Sequence, residues 1–213
     1  MVERTKILPK SRKTLPQKMI HGGFWISSLR IARKVFSLIR LIIIGRILAP
    51  SGFGLMGIAL LTMSALETFS TFGFKQALIQ KKENTDNYLD AAWTVLIIRG
   101  FVVFIIVYLV APYVAFFFHT PEVRPIIQVL GLITFFQAFT NIGVIFFHKE
   151  LEFDKVFIYR FVGISTNFIV AVVAAIVLRS VWALVLGLLA EKVVSTIISY
   201  MIHPYRPHLS KDI

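Results

Sequence analysis

The 213-residue sequence is 57% hydrophobic and 16% charged, with 23 Lys and Arg against 11 Asp and Glu and no cysteine. A soluble domain averages about 45–50% apolar and about 25% charged residues, so the apolar excess here must meet lipid, and disulfides, thiolate metal sites and cysteine nucleophiles are excluded. The formal charge of +12 does not point to nucleic acid, because most basic residues lie in short segments between or beside apolar stretches, where they set membrane topology.

Residues 1–19 begin MVERTKILPKSRKTLPQK, with no short apolar core and cleavage site after them, so they are expected to form a retained, basic cytoplasmic tail. Residues 20–203 then hold about six apolar stretches, each near the roughly 20 residues a spanning helix needs. The fold expected is an all-α, polytopic membrane bundle of about six transmembrane helices. The first stretch, 20–48, is interrupted by Arg30, Arg33, Lys34 and Arg40, and its alternative is an interfacial amphipathic helix. The second, 53–74, carries Glu67; the third, 91–118, carries Arg99 and places Pro112 near its outer end. The fourth, 126–147, carries Gln137, Thr140 and Asn141; the fifth, 156–178, Arg160 and Asn167; the sixth, 181–202, Glu191 and Lys192. Residues 204–213 are read as a cytoplasmic tail or the start of a linker. Lys and Arg alternate between connections. The N-terminal tail, the 75–82 and 149–155 connections and the C-terminal tail hold them in number, whereas the intervening connections hold only Arg46, Arg124 and Arg179. That asymmetry places both termini in the cytoplasm and demands an even number of spans.

Each cation inside a span costs about 2.5–3.5 kcal/mol at the bilayer centre, so Arg30, Arg33, Lys34, Arg40, Arg99, Arg160 and Lys192 are expected to turn toward the bundle interior or a wet cavity. On the first helix Arg30, Arg33, Lys34 and Arg40 fall within an arc of about 120°. Such a stripe suits an anionic ligand such as a phosphate or diphosphate, whose oxygens Arg takes in pairs. For Arg30, Arg33 and Lys34 the competing reading is snorkelling to headgroups; Arg40 lies deeper and is assigned to the cavity. Glu67 shares a face with Ser64, Ser70 and Thr71. It is a candidate proton or cation site or the partner of a nearby Arg, as is Glu191 beside Lys192. Thr134, Gln137, Thr140 and Asn141 are read as one polar helix face that glues helices together. The five histidines show no metal spacing, no GxSxG or phosphate-cradling loop occurs, and Glu150, Glu152 and Asp154 read as a solvated loop. Neither enzyme nor cofactor is expected.

Four stretches carry a family resemblance: GRILAPSGFGL at 45–55, FGFKQALIQKK at 72–82, VWALV at 181–185 and PYRP at 204–207. In this order they resemble the polysaccharide transporter, or O-antigen flippase, family of lipopolysaccharide and exopolysaccharide export, within the superfamily of multidrug and lipid-linked oligosaccharide exporters. Arg179 and Ser180 replace the family's usual glycine-containing turn, and the chain stops where the family continues. The resemblance implies one lobe of a two-lobe transporter in the bacterial inner membrane, flipping an undecaprenyl-diphosphate-linked oligosaccharide. The second six-helix lobe would come from a longer chain or a partner chain. Arg30, Arg33, Lys34 and Arg40 as diphosphate ligands, and Glu67, Glu191, Arg99 and Arg160 as coupling or ion-pairing groups, rest on the physical argument alone. The competing readings are half of a cation-coupled multidrug exporter, which the basic bias disfavours, and a non-transporting membrane fragment.

Overall fold

The computed structural model describes residues 15–70, 86–144, 147 and 152–208. Most of the basic N-terminal tail, the 72–82 motif, Thr71, Glu150 and the last five residues lie outside them. The described residues form six helices and no strand: α1 Leu15–Ile47, α2 Pro50–Ser70, α3 Asp86–Phe117, α4 Val123–Ala138, α5 Phe153–Leu178 and α6 Trp182–Ile202. The all-α expectation holds. Pro50 opens α2, where its missing N–H costs nothing.

Among the described residues four helices are long and apolar enough to cross a membrane: Pro50–Thr68, Trp93–Phe117, Phe153–Leu178 and Trp182–Ile202. The expected six spans therefore divide unequally. In α1, 33 residues long, the four cations interrupt the apolar run. The apolar helix α4 has only 16 residues, about 24 Å of rise against a hydrocarbon core of about 30 Å.

The fourth segment also ends earlier than the expected 126–147. Its backbone tightens after Ala138, with Phe139 N–H bonded to the Phe136 carbonyl at 3.2 Å and Thr140 N–H to that of Gln137 at 3.1 Å. Asn141 then offers the chain an alternative to helix, because its side-chain carbonyl accepts the Gly143 N–H at 2.8 Å. Thr140 and Asn141 consequently do not extend the helical face of Thr134 and Gln137; they fasten the end of α4 to α6. The Asn141 N–H donates to Ser199 Oγ at 3.0 Å, Tyr200 OH donates to the Phe139 carbonyl at 2.8 Å, and the Thr140 and Thr196 hydroxyls lie 3.3 Å apart. Asn141 is 1% exposed, and irregular backbone at membrane depth is tolerable when buried in protein in this way.

The helices pack in two groups. On one side α2, α3 and α4 enclose a dry cluster that includes Met56, Ala59, Val103, Val107, Ile126 and Ile127, and the start of α6 adds Val181 and Val185. Gly100 and Gly131 let α3 and α4 meet closely: a Cβ on Gly100 would fall 2.5 Å from the Ala138 Cβ, and one on Gly131 2.7 Å from Val107 Cγ1.

On the other side α5 and α6 form the most extensive helix pair. Small and polar residues recur every fourth position on both, Gly163, Asn167, Ala171 and Ala175 on α5 and Ala183, Gly187, Glu191 and Ser195 on α6. A Cβ on Gly163 would meet Ser195 Oγ at 2.5 Å, and one on Gly187 would meet the Ala171 Cβ at 2.7 Å. The register is antiparallel, and close backbone approach over small residues is how helices associate where lipid removes the hydrophobic incentive. Helix α1 lies on α5. Its lower end packs Ile44 and Leu48 with Ala171, Ala175 and Ala183, and a file of rings, Trp25, Phe157, Phe161, Phe36 and Phe168, runs along the seam with successive centroids 4.8–5.9 Å apart. Arg179 ends α5 in the left-handed region at φ 47°, its N–H on the Ala175 carbonyl. That conformation usually takes glycine.

Candidate functional site

A cavity of about 620 Å³ opens between α1, α5, α6 and the end of α4. Helix α1 contributes Arg33, Phe36, Ser37 and Arg40, residues three, four and seven apart that share one face. Helix α5 contributes Tyr159, Arg160, Ile164, Asn167 and Phe168, and α6 contributes Leu188, Glu191, Lys192 and Ser195. Gln137 and Thr140 close the α4 end. Among the described residues, four cations thus share the lining with one carboxylate, Glu191.

The interior polar contacts form a chain across three helices. The Arg40 guanidinium donates to the Asn167 side-chain carbonyl, and the Asn167 amide donates to Glu191 Oε2 at 2.8 Å. Asn167 is 5% exposed, so both halves of its amide are satisfied by charged neighbours, as a buried polar group requires. Arg33 and Arg160 are exposed to the cavity opening, whereas Arg40, Glu191 and Lys192 are half-buried.

The candidate residues named from the sequence divide accordingly. Arg33, Arg40, Arg160 and Glu191 converge on the cavity. Arg30 and Lys34 are exposed on α1, Glu67 is exposed on α2 and Arg99 is half-buried on α3; none of these four lines it. Lys192, Tyr159 and the bridging Asn167 lie in the same lining. The four-residue recurrence of small and polar residues on α5 and α6 was the signal for Asn167 facing Glu191. Among the described residues no group of three or more His, Cys, Asp or Glu is placed to hold a metal.

A second polar cluster sits away from the cavity, where the segment after α6 returns to the start of α3. Tyr205 OH and the His208 N–H both donate to Asp90 Oδ1, the latter at 2.8 Å, and Asn141 Nδ2 donates to the Tyr205 carbonyl at 2.7 Å. Burial pushes the Asp90 carboxyl up, but the Tyr205 and His208 hydrogen bonds and the His208 charge together hold it below its ordinary 3.8.

Apolar helices of spanning length arranged around a cationic cavity define a multi-pass α-helical membrane protein. The chain belongs to the polysaccharide biosynthesis protein family, which matches residues 43–213, and the resemblance read from the four motifs is borne out at that level. It is 26% identical over 189 residues to the lipopolysaccharide biosynthesis protein WzxC of Escherichia coli (strain K12), covering 87% of this chain and 38% of that protein. It is 26% identical over 187 residues to an uncharacterized membrane protein in the cps region of Klebsiella pneumoniae, with the same shares of 87% and 38%. The chain therefore spans well under half the length of these curated relatives, matching their N-terminal part. No solved structure matches it.

Proposed function

We propose that this chain is the N-terminal lobe of an exporter that carries an undecaprenyl-diphosphate-linked oligosaccharide across the bacterial inner membrane, both termini in the cytoplasm. Residues 20–203 make the lobe, 1–19 a cytoplasmic tail, and 204–213 a tail or the beginning of the connection to a second lobe, in the same or a partner chain. No bond is made or broken in this reading, and no cofactor is used.

The observation that carries it is the gathering of Arg33, Arg40, Arg160 and Lys192 around one cavity. Like charges in a partly water-excluded hollow repel one another, and an anion entering among them relieves that repulsion. A diphosphate offers oxygens that guanidinium groups bind in pairs, and Phe36, Tyr159 and Phe168 supply apolar faces beside them. Arg30 and Lys34, exposed on the same helix, suit lipid headgroups. The basic lining disfavours a cation-coupled multidrug exporter, which calls for an acidic cavity. Membership in a polysaccharide biosynthesis family supports the glycan cargo.

The test is complementation of a strain lacking its polysaccharide flippase, using the gene's whole reading frame. Arg40→Ala and Arg160→Ala, at membrane levels equal to wild type by immunoblot, are expected to lower surface polysaccharide at least about tenfold, the effect of one lost charge-assisted contact. Full restoration by both variants would overturn the assignment.

A further inference from the structure

Glu191 is an unexpected neighbour for an anion. Among the described residues it is the one carboxylate lining the cavity, and it reaches Arg40 through Asn167, whose carbonyl accepts from the guanidinium and whose amide donates to Glu191 Oε2 at 2.8 Å. A guanidinium only donates and a carboxylate only accepts. The two charges therefore fix which way the asparagine amide points, and the amide conveys the carboxylate's pull to Arg40.

The arrangement is held firmly. Asn167 is buried between Gly163 and Ala171 on the α5–α6 pair, the most extensive helix contact among the described residues. A Cβ on Gly163 would lie 3.5 Å from Glu191 Cγ and 2.5 Å from Ser195 Oγ, so this glycine leaves the carboxylate its place. The same stretch of α6 packs onto α5 through Gly187, where a Cβ would lie 3.0 Å from the Asn167 backbone carbonyl.

We infer that Glu191, acting through Asn167, is a built-in rival of the anionic ligand for Arg40. The inference rests on the reading of the cavity as a diphosphate site and adds how that site lets its ligand go. With the cavity empty, the Glu191 charge offsets part of the positive lining and the Asn167 carbonyl occupies one Arg40 donor. A diphosphate oxygen must displace that carbonyl and accept the nearby negative charge, so its affinity is held below what four cations alone would give. A carrier that must release what it binds requires such a restraint, since affinity spent equally in every state slows departure. Glu191 and Asn167 are thus positioning residues that set affinity, and the ligand is held by the cations.

The test uses the full reading frame, purified into nanodiscs, with undecaprenyl diphosphate as the probe and neutral undecaprenol as control. Glu191→Gln keeps the shape and an acceptor for the Asn167 amide but removes the charge; it is expected to bind undecaprenyl diphosphate about tenfold more tightly, as loss of a nearby like charge predicts. Undecaprenol binding should be unchanged, and Glu191→Asp should return affinity toward wild type. Slower dissociation is expected to carry most of the gain. If wild type binds the diphosphate and Glu191→Gln binds it equally or more weakly, the rivalry is overturned and the anion site stands. If neither protein, each eluting as a single species, binds it above undecaprenol, the anion site falls and the rivalry with it.

Discussion

The two sides of the bundle solve the same problem in different ways. The α2–α3–α4 side is filled by apolar volume: Val107, Ile126 and Ile127 are buried with the methionines of α2, and no cavity-lining cation comes from α2 or α3. Gly100 and Gly131 bring α3 and α4 close within that packing, and what sets the α1–α5–α6 side apart is that its glycine contacts border a cavity. Its closest helix pair meets over Gly163, Ala171 and Gly187, and the polar step in that ladder, Asn167 against Glu191, faces a hollow lined by cations. One side holds its shape by what fills it. The other sets equally close helix contacts beside a hollow lined by Arg33, Arg40, Arg160 and Lys192.

Substitutions that reverse those roles sharpen the contrast. The largest effect is expected from Gly187→Leu. Its side chain would enter a space where even a Cβ is 2.7 Å from the Ala171 Cβ, and overpacking of this kind costs about 3 kcal/mol, read as a lower melting temperature in detergent. Leucine at Gly57, where a Cβ meets nothing within 4 Å, is the matched control and should leave melting unchanged. A smaller loss, about 1 kcal/mol, is expected from Ile127→Val on the filled side. If Gly187→Leu melted no lower than Ile127→Val, proximity would not be what holds the cavity side.

The smallest effect is local. Because Asp90 titrates below its ordinary value in the folded protein, its contribution is present above the unfolded pKa of 3.8 and is lost as pH falls through the folded one. The protection of backbone amides over residues 203–208, measured as the exchange rate relative to the intrinsic rate at each pH, should therefore fall on acidification below about pH 4. In Asp90→Asn that protection should be low and should not change across the range. This loosening should leave the melting of both sides untouched.

Much of the architecture was legible in the sequence, because apolar runs of spanning length and the cations between them leave few alternatives. All six segments start within about five residues of their expected limits, and five of them also end within about four of theirs. The fourth does not, because Asn141 reads as one more polar residue on a helical face until its side chain is seen to take the Gly143 N–H and close a turn. The cavity was legible only in part. A helical wheel gives the face of a residue on its own helix but not which neighbour that face meets. Arg33 and Arg40, seven apart, share the cavity face, whereas Arg30 lies a turn outward and Lys34 is rotated by about 100° from Arg33. Arg160 and Glu191 required the pairing of α5 with α6, which the fourfold spacing of their small residues encodes. Glu67 looked the stronger intramembrane acid in the sequence, since Lys192 stands beside Glu191, and only packing shows that Glu191 is the one of the two that lines the cavity.

The joint between the two sides has a consequence of its own. Helices α4 and α6 run parallel, sharing apolar side chains near their beginnings, where Ile126 and Val185 join one cluster, and hydroxyls and amides near their ends, where Asn141 meets Ser199 and Thr140 meets Thr196. In hydrocarbon the first contact is indifferent to solvent and answers only to size, whereas the second can be exchanged, bond for bond, with any water that reaches it. The seam is therefore held by fit at one end and by exchangeable hydrogen bonds at the other.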